Sequence, residues 1–226
     1  EHGAAVYNES GTVNITDTTF ESNRTRFGSI VYNQSGNLTL NESFLRNTEA
    51  AERGAGVYTD TGIVDMDGFL VEENRVRFGA GLYKHAGTAT VSNSIFRNNE
   101  GVEAGTGIYN NTGSVSVTSS TFDNNTARFG AAIFNNGGSV YVVDSALTNS
   151  RSLEEGGAFH QNNGLSIIVN STVSGNWARF GGGIHIKNGE ALLTNVTIAD
   201  NEAQENGGGL FIGGSVNSRT LTITPA

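Results

Sequence analysis

The chain has 226 residues, a net charge of −9, 31 glycines, one proline and no cysteine. The lack of cysteine excludes disulfides, cysteine–zinc sites and thiol catalysis, and an acidic chain without a basic track argues against nucleic-acid binding. No apolar run approaches the roughly 20 residues of a membrane-spanning helix, so no transmembrane segment is predicted.

The glycines mark a repeat that starts again every 25 or 26 residues. Each unit opens with Gly, two small residues, an aliphatic residue and, in most units, an aromatic residue. The opening glycines are Gly3, Gly28, Gly54, Gly79, Gly105, Gly130, Gly156, Gly181 and Gly207. A second glycine stands eight residues further on in every unit but the last, as at Gly62 and Gly87. This column predicts a turn with positive φ.

Apolar residues alternate with a period of two between these turns, which predicts short strands with one buried face. Examples are Val13/Ile15, Leu38/Leu40, Val64/Met66, Val115/Val117 and Val140/Val142. A further apolar column consists of Phe20, Leu45, Val71, Phe96, Phe122, Leu147, Val173 and Ile198. We expect three strands per unit, which bury their inner faces by stacking about 4.8 Å apart. Residues 1–226 are thus predicted to form one all-β parallel β-solenoid of about nine coils, with 207–226 as a divergent terminal coil.

The repeat also resembles a known family. The openings GAAV, GAGV, GAGL, GAAI and GGGI are followed by FESN, FRNN or FDNN. These motifs resemble the GGA[ILV] and FxxN repeats of chlamydial polymorphic outer-membrane proteins and the repeats of bacterial and archaeal surface β-helix proteins. The resemblance implies a right-handed β-helix, export, and a structural or adhesive role at the cell surface. Unlike the chlamydial repeats, this chain lacks cysteine.

Two kinds of unit alternate and give a super-repeat of 51 residues. Stacking would align one column of alternating charge that fixes the register of the coils. This ion ladder is predicted to contain Glu1, Arg26, Glu52, Arg77, Glu103, Arg128, Glu154, Arg179 and Glu205.

A phenylalanine follows each arginine of that ladder and alternates with polar residues such as Arg53 and Glu155. The phenylalanines are Phe27, Phe78, Phe129 and Phe180. Either they form a lateral ridge on which a second copy docks, or they plug a corner of their own coil.

An aromatic column comes one residue after the aliphatic core column and is therefore expected to face outward. It contains Tyr7, Tyr32, Tyr58, Tyr83, Tyr109, Phe134, His160, His185 and Phe211. Its rings would either bind glycan or protein, or stack to stabilise the sheet. Without a nearby acidic or cysteine ligand, His160 and His185 make a weak metal site, and neither metal nor cofactor is predicted.

An enzyme is not predicted, because Asp60, Asp65 and Asp67 share one coil without matching carboxylates on the neighbouring coils. The column of Asn23, Asn74, Asn125 and Asn176 is expected to form a buried amide ladder. Asn-X-Ser/Thr sequences at predicted turns or surface positions make Asn8, Asn33, Asn110 and Asn195 candidates for N-glycosylation.

These features predict a non-enzymatic extracellular structural protein. We expect it to self-associate into a cell-surface fibre through its ends or the phenylalanine ridge. An adhesin that binds glycan or protein through the aromatic column is the alternative, and a polysaccharide lyase or hydrolase is a more distant one.

Overall fold

The computed structural model describes residues 5–25, 30–54, 56–213 and 219–224. These residues form parallel strands joined by tight turns, and they contain no helix. The strands belong to four parallel sheets, each of which runs the length of the molecule. This arrangement confirms the predicted all-β parallel solenoid.

The first two sheets each contain nine strands. The first sheet consists of β1 (Val6–Asn8), β5 (Val31–Asn33), β9 (Val57–Thr59), β13 (Leu82–Lys84), β17 (Ile108–Asn110), β21 (Ile133–Asn135), β25 (Phe159–Gln161), β29 (Ile184–Ile186) and β33 (Leu210–Ile212). The second consists of β2 (Thr12–Thr16), β6 (Asn37–Asn41), β10 (Ile63–Asp67), β14 (Thr88–Ser92), β18 (Ser114–Thr118), β22 (Ser139–Val143), β26 (Leu165–Val169), β30 (Gly189–Thr194) and β34 (Arg219–Thr224).

The other two sheets each contain eight strands. The third sheet consists of β3 (Thr19–Glu21), β7 (Phe44–Arg46), β11 (Leu70–Glu72), β15 (Ile95–Arg97), β19 (Thr121–Asp123), β23 (Ala146–Thr148), β27 (Thr172–Ser174) and β31 (Thr197–Ala199). The fourth consists of β4 (Arg24–Thr25), β8 (Glu49–Arg53), β12 (Arg75–Phe78), β16 (Glu100–Ala104), β20 (Thr126–Phe129), β24 (Arg151–Glu155), β28 (Trp177–Phe180) and β32 (Glu202–Asn206).

Each full coil therefore has four strands, and the prediction of three was wrong. Within the described residues the ninth coil is represented by β33 and β34, and eight coils have strands in all four sheets. The fourth strand escaped detection because most of its copies bury a single small residue, such as Val76, Ala127 or Ser152, among exposed charges. A single inward residue leaves no period-two pattern to recognise.

The apolar columns predicted from the sequence form the core. Leu38, Leu40, Val64 and Met66 of the second sheet are at most 1 % exposed. In the third sheet the ring centroids of Phe96 and Phe122 stack 4.6 Å apart. The interior is thus filled by identical positions of successive coils, as the solenoid requires.

The second glycine of each unit is required mainly by close packing between coils. A Cβ on Gly62 would overlap the carbonyl oxygen of Gly36 in the preceding coil. Positive φ, which we predicted for the whole column, occurs at Gly87, Gly164 and Gly189. Contact between backbones therefore explains the column better than backbone conformation does.

A β-bulge explains why the units alternate between 25 and 26 residues. Arg75 pairs with Glu49 and Val76 with Ala50, but Phe78 pairs with Arg53, so β8 has one extra residue. The same shift recurs where β12 meets β16 and where β20 meets β24. The extra residue turns outward, and Val102 and Leu153 are more than half exposed as a result.

A buried amide ladder runs beside the third sheet, as predicted for Asn74, Asn125 and Asn176. Asn74 Nδ2 donates to Asn99 Oδ1 at 3.0 Å, and Asn99 Nδ2 donates to Asn125 Oδ1 at 3.0 Å. Each amide also donates to a backbone carbonyl, such as Val71 O for Asn99. Asn23, at the first described coil, is half-buried and donates to Glu21 O instead.

Candidate functional site

The aromatic column forms a continuous stack along the first sheet. Ring centroids from Tyr7 to His160 lie 4.8–5.3 Å from their neighbours, and their planes are within 14° of parallel. This spacing follows from the in-register pairing of the strands, which places equivalent residues one above another.

Most of this stack is buried, which contradicts the expected outward face. Tyr58, Tyr83 and Phe134 are at most 9 % exposed, and His160 and His185 are 2 % exposed. Tyr32, Tyr109 and Phe211 are half-buried, and Tyr7 is exposed at the first described coil. Burial raises the pKa of Tyr32 and of Tyr83 to about 12. A glycan or protein could therefore reach few of these rings.

The fourth strand and the opening glycine cover the stack. At Gly156 the chain turns with a φ of +64°, and a Cβ there would contact Cβ of His160 in the same coil. The phenylalanines fold over the same face. Phe78 meets Tyr109 edge-on at 5.4 Å, and Phe129 lies 6.0 Å from the His160 ring. Alternation along the strand does place the rings on the outer side, but the chain folds back over them.

The phenylalanines thus have the geometry of corner plugs. Phe78, Phe129 and Phe180 are half-buried, and the guanidinium of the preceding arginine lies 5.0–5.3 Å from each ring centroid. Phe27 lies outside the described residues. Docking of a second copy on these residues stays a prediction.

The ion ladder lies on the outer side of the fourth sheet. Arg77 contacts Glu52 at 3.4 Å and Glu103 at 3.8 Å, and Glu103 also contacts Arg128 at 3.6 Å. Arg179 lies 3.3 Å from Glu154 and 2.6 Å from Glu205. Glu1 and Arg26 lie outside the described residues. The exposed pairs contribute little individually, and their alternation favours one register.

Two further charge columns were missed. Glu72 accepts two hydrogen bonds from Arg97 in the third sheet, at 2.6 and 2.9 Å. In the fourth sheet Arg75 lies 3.6 Å from Glu100. Oppositely charged residues 25 positions apart in the sequence could have predicted these columns.

A second polar ladder is buried at the turn that follows the first sheet, and it removes three glycosylation candidates. Asn8, Asn33 and Asn110 are at most 5 % exposed. Asn8 Nδ2 donates to Asn33 Oδ1 at 2.8 Å, and Asn110 Nδ2 donates to Asn135 Oδ1 at 3.1 Å. A glycan on any of these nitrogens would break the ladder. Asn195 is exposed and remains accessible.

Lys84 interrupts this second ladder. Its side chain is fully buried, and among the described residues its Nζ has no hydrogen-bond partner. Burial lowers its pKa to about 8. Asn110 Oδ1, at the next position of the ladder, also lacks a partner within the described part of the chain. The ladder therefore has an unpaired donor, Lys84 Nζ, next to an unpaired acceptor, Asn110 Oδ1, among the described residues.

We expect Lys84→Asn to raise the free energy of unfolding at pH 7 by about 1–3 kcal/mol, because an amide would donate to Asn110 Oδ1 and a buried charge would disappear. The wild type should gain stability between pH 8 and 10.5. In that range the folded lysine has lost a proton that the unfolded lysine still binds. Urea titrations of both proteins from pH 7 to 10 test this, and a constant stability difference would contradict it. Raised tyrosine pKa values affect both proteins alike.

Two of the three aspartates in the coil that opens at Gly54 have polar partners on the next coil. Asp67 Oδ1 accepts hydrogen bonds from Ser92 and Asn93 at 2.7 Å, and these bonds lower its pKa. Asp60 lies 3.9 Å from His85. A general acid needs a raised pKa, which Asp67 lacks.

Glu155, His160 and His185 form a cluster that sequence reasoning missed. Glu155 stands at the end of β24, in the column where phenylalanine alternates with other residues, and reaches over the first sheet. Its Oε2 lies 3.6 Å from His160 Nδ1 and 3.3 Å from His185 Nδ1, and the two Nδ1 atoms are 3.1 Å apart. Glu155 supplies the acidic ligand that the two histidines were expected to lack.

The charges of this cluster are mutually dependent. Burial lowers the pKa of His160, so its imidazole is neutral near pH 7. A hydrogen bond from His185 lowers the pKa of Glu155, which stays ionised. Lys187 lines the adjoining cavity of about 280 Å³ together with Phe180 and Phe211. The cluster is thus buried on one side and open to solvent on the other.

Comparison with known proteins agrees with this architecture. Residues 119–142 match the model of the Chlamydia polymorphic membrane protein repeat, a segment of about one coil that includes Phe122 and Asn125. No curated protein and no solved structure matched the chain. No helix among the described residues is long and apolar enough to cross a membrane. The chain is a parallel β-solenoid repeat protein that resembles the Chlamydia polymorphic membrane proteins.

Proposed function

We propose that this protein is a non-enzymatic structural rod at the cell surface. The observation that carries the proposal is the set of side-chain ladders that join successive coils. Amide, aromatic and charged ladders each connect residues 25 or 26 positions apart. Such ladders add lateral contacts to every strand pair and favour a stiff rod of uniform cross-section.

The repeat match supports the location. The matched family is named for membrane proteins of Chlamydia, and the match covers strands β19 to β21 and most of β22. This match supports the proposal that the rod lies at the cell surface.

Burial of the aromatic stack argues against the adhesin alternative, because Tyr58 and Tyr83 are less than 9 % exposed. Changing both residues to Ser should destabilise the coil rather than remove a binding site. An array of immobilised glycans, probed with the wild type, tests the alternative directly. If the wild type binds a glycan and the variants Tyr58→Phe and Tyr83→Phe bind it equally well, the phenol groups do not contribute to glycan binding.

Electron microscopy of the purified chain at micromolar concentration tests the structural proposal. Eight to nine coils with a spacing of about 4.8 Å give a rod about 40 Å long. Isolated rods of about this length, or filaments built from such rods, would support the proposal. Filaments would also show that copies join into a fibre. Cleavage of a polysaccharide by the same preparation, with or without calcium, would contradict it.

A further inference from the structure

The aromatic column of the solenoid departs from its own pattern at two consecutive coils. Seven members of the aromatic column are Tyr or Phe, and the two histidines occupy consecutive coils. The column that caps them holds Phe129 and Phe180 in the neighbouring coils and Glu155 between these. Stacking would be served equally well by phenylalanine, so the fold does not require histidine at these two positions. Glu155 belongs to the alternate coils, which have Arg53, Ala104 and Asn206 at the equivalent position, and it is the carboxylate among these four residues.

The histidine rings are also turned relative to the rest of the stack. The other described neighbours in this column lie within 26° of parallel, whereas the planes of His160 and His185 form an angle of 61°. The tilt accompanies the 3.1 Å approach of their Nδ1 atoms. Hydrogen bonds do not satisfy all three atoms of the cluster. If one Nδ1 carries a proton, the Nδ1 of the other histidine and the Glu155 carboxylate are both acceptors that compete for it.

The three atoms have the spacing of metal ligands. Nitrogen and oxygen ligands bind Zn²⁺ at about 2.0–2.1 Å, so two ligands of a tetrahedral site lie about 3.3 Å apart. The distances between Glu155 Oε2, His160 Nδ1 and His185 Nδ1 are 3.1, 3.3 and 3.6 Å. Three ligands on one face leave a fourth position toward the cavity beside Phe180 and Phe211.

We propose that Glu155, His160 and His185 bind a divalent transition-metal ion of the zinc type, with water as the fourth ligand. Two imidazoles and a carboxylate suit zinc, and borderline ions such as cobalt substitute for it. The site fastens the fourth strand to two coils of the first sheet. Lys187, on the wall of the cavity, opposes the positive ion and weakens its binding.

Isothermal titration of the chelator-treated full chain with ZnCl2 tests the site, and CoCl2 gives a second readout from the visible spectrum of tetrahedral cobalt. We expect one ion per chain and a higher midpoint of thermal unfolding when zinc is added. His160→Phe and His185→Phe should abolish both effects. Phenylalanine is native to this column, so these variants are expected to fold, which circular dichroism checks.

Glu155→Gln provides a second, nearly isosteric test, and it should lower affinity by more than the 10–100-fold loss typical of residues that merely orient a ligand. His85→Phe is the matched control, because His85 is half-buried beside Asp60 and lies outside the cluster. It should leave affinity unchanged, and Lys187→Gln should increase it. The proposal would be overturned if zinc did not bind stoichiometrically. It would also be overturned if His85→Phe abolished zinc binding while His160→Phe kept it.

Discussion

Asn99→Ala is expected to lower the free energy of unfolding by about 3–5 kcal/mol. The Asn99 amide joins three coils, because its Oδ1 accepts from Asn74 N and Nδ2 while its Nδ2 donates to Val71 O and Asn125 Oδ1. Each buried polar group left without a partner costs about 1–3 kcal/mol, and alanine would leave several such groups. Urea unfolding followed by circular dichroism measures the loss.

The chain itself supplies a control for this substitution. Ser150 occupies the same ladder, where its Oγ accepts a hydrogen bond from Asn125 N at 3.3 Å. Asn99→Ser should therefore keep part of the ladder and lose about half as much stability as Asn99→Ala. Equal stability of the two variants would show that the side-chain bonds contribute little beyond volume.

Phe122→Ala should have a comparable effect, a loss of about 3–5 kcal/mol, because it opens a large cavity in a fully buried column. Phe122→Leu should lose less than about 1.5 kcal/mol, since Leu147 holds the same position in a neighbouring coil. Thermal unfolding of the two variants compares them. An alanine variant as stable as the leucine variant would mean that the coils collapse to fill the space.

Gly107 provides part of the space for Phe122, because an added Cβ would lie 2.5 Å from the carbonyl oxygen of Ala132 and 2.6 Å from Cδ1 of the phenylalanine ring. Alanine takes the glycine position at Ala132, in the unit that contains Leu147. Gly107→Ala should therefore be destabilising with Phe122 but better tolerated with Phe122→Leu. A double-mutant cycle measures this coupling, and strict additivity would contradict it.

The sequence was sufficient for the architecture, because Gly spacing and columns such as Leu38/Leu40 specify stacked strands directly. It was insufficient for the covering of the aromatic column. Alternation correctly places Tyr83 on the side opposite Leu82, but whether that side meets solvent depends on how the chain turns at Gly79. That turn folds Phe78 back over the tyrosines, and the alternation of apolar and polar residues along a strand does not predict it.

The metal cluster was hidden for a related reason. Glu155 precedes His160 by five residues and His185 by thirty, so no ligand-spacing motif connects them. Their proximity arises from a turn in one case and from coil stacking in the other. A comparison of whole columns, which places Glu155 between Phe129 and Phe180 over the two histidines, was the signal that could have found it.

The bulge in alternate coils limits how a rod of this kind can change in length. The fourth strand of a bulged coil fits beside a strand without the extra residue, as β8 fits beside β12. Removal of one coil would place two strands of the same kind together, while removal or duplication of two coils would leave every junction unchanged. Related rods are therefore expected to differ by multiples of two coils, which corresponds to steps of about 9.6 Å. Length in such a family would be inherited in 51-residue increments.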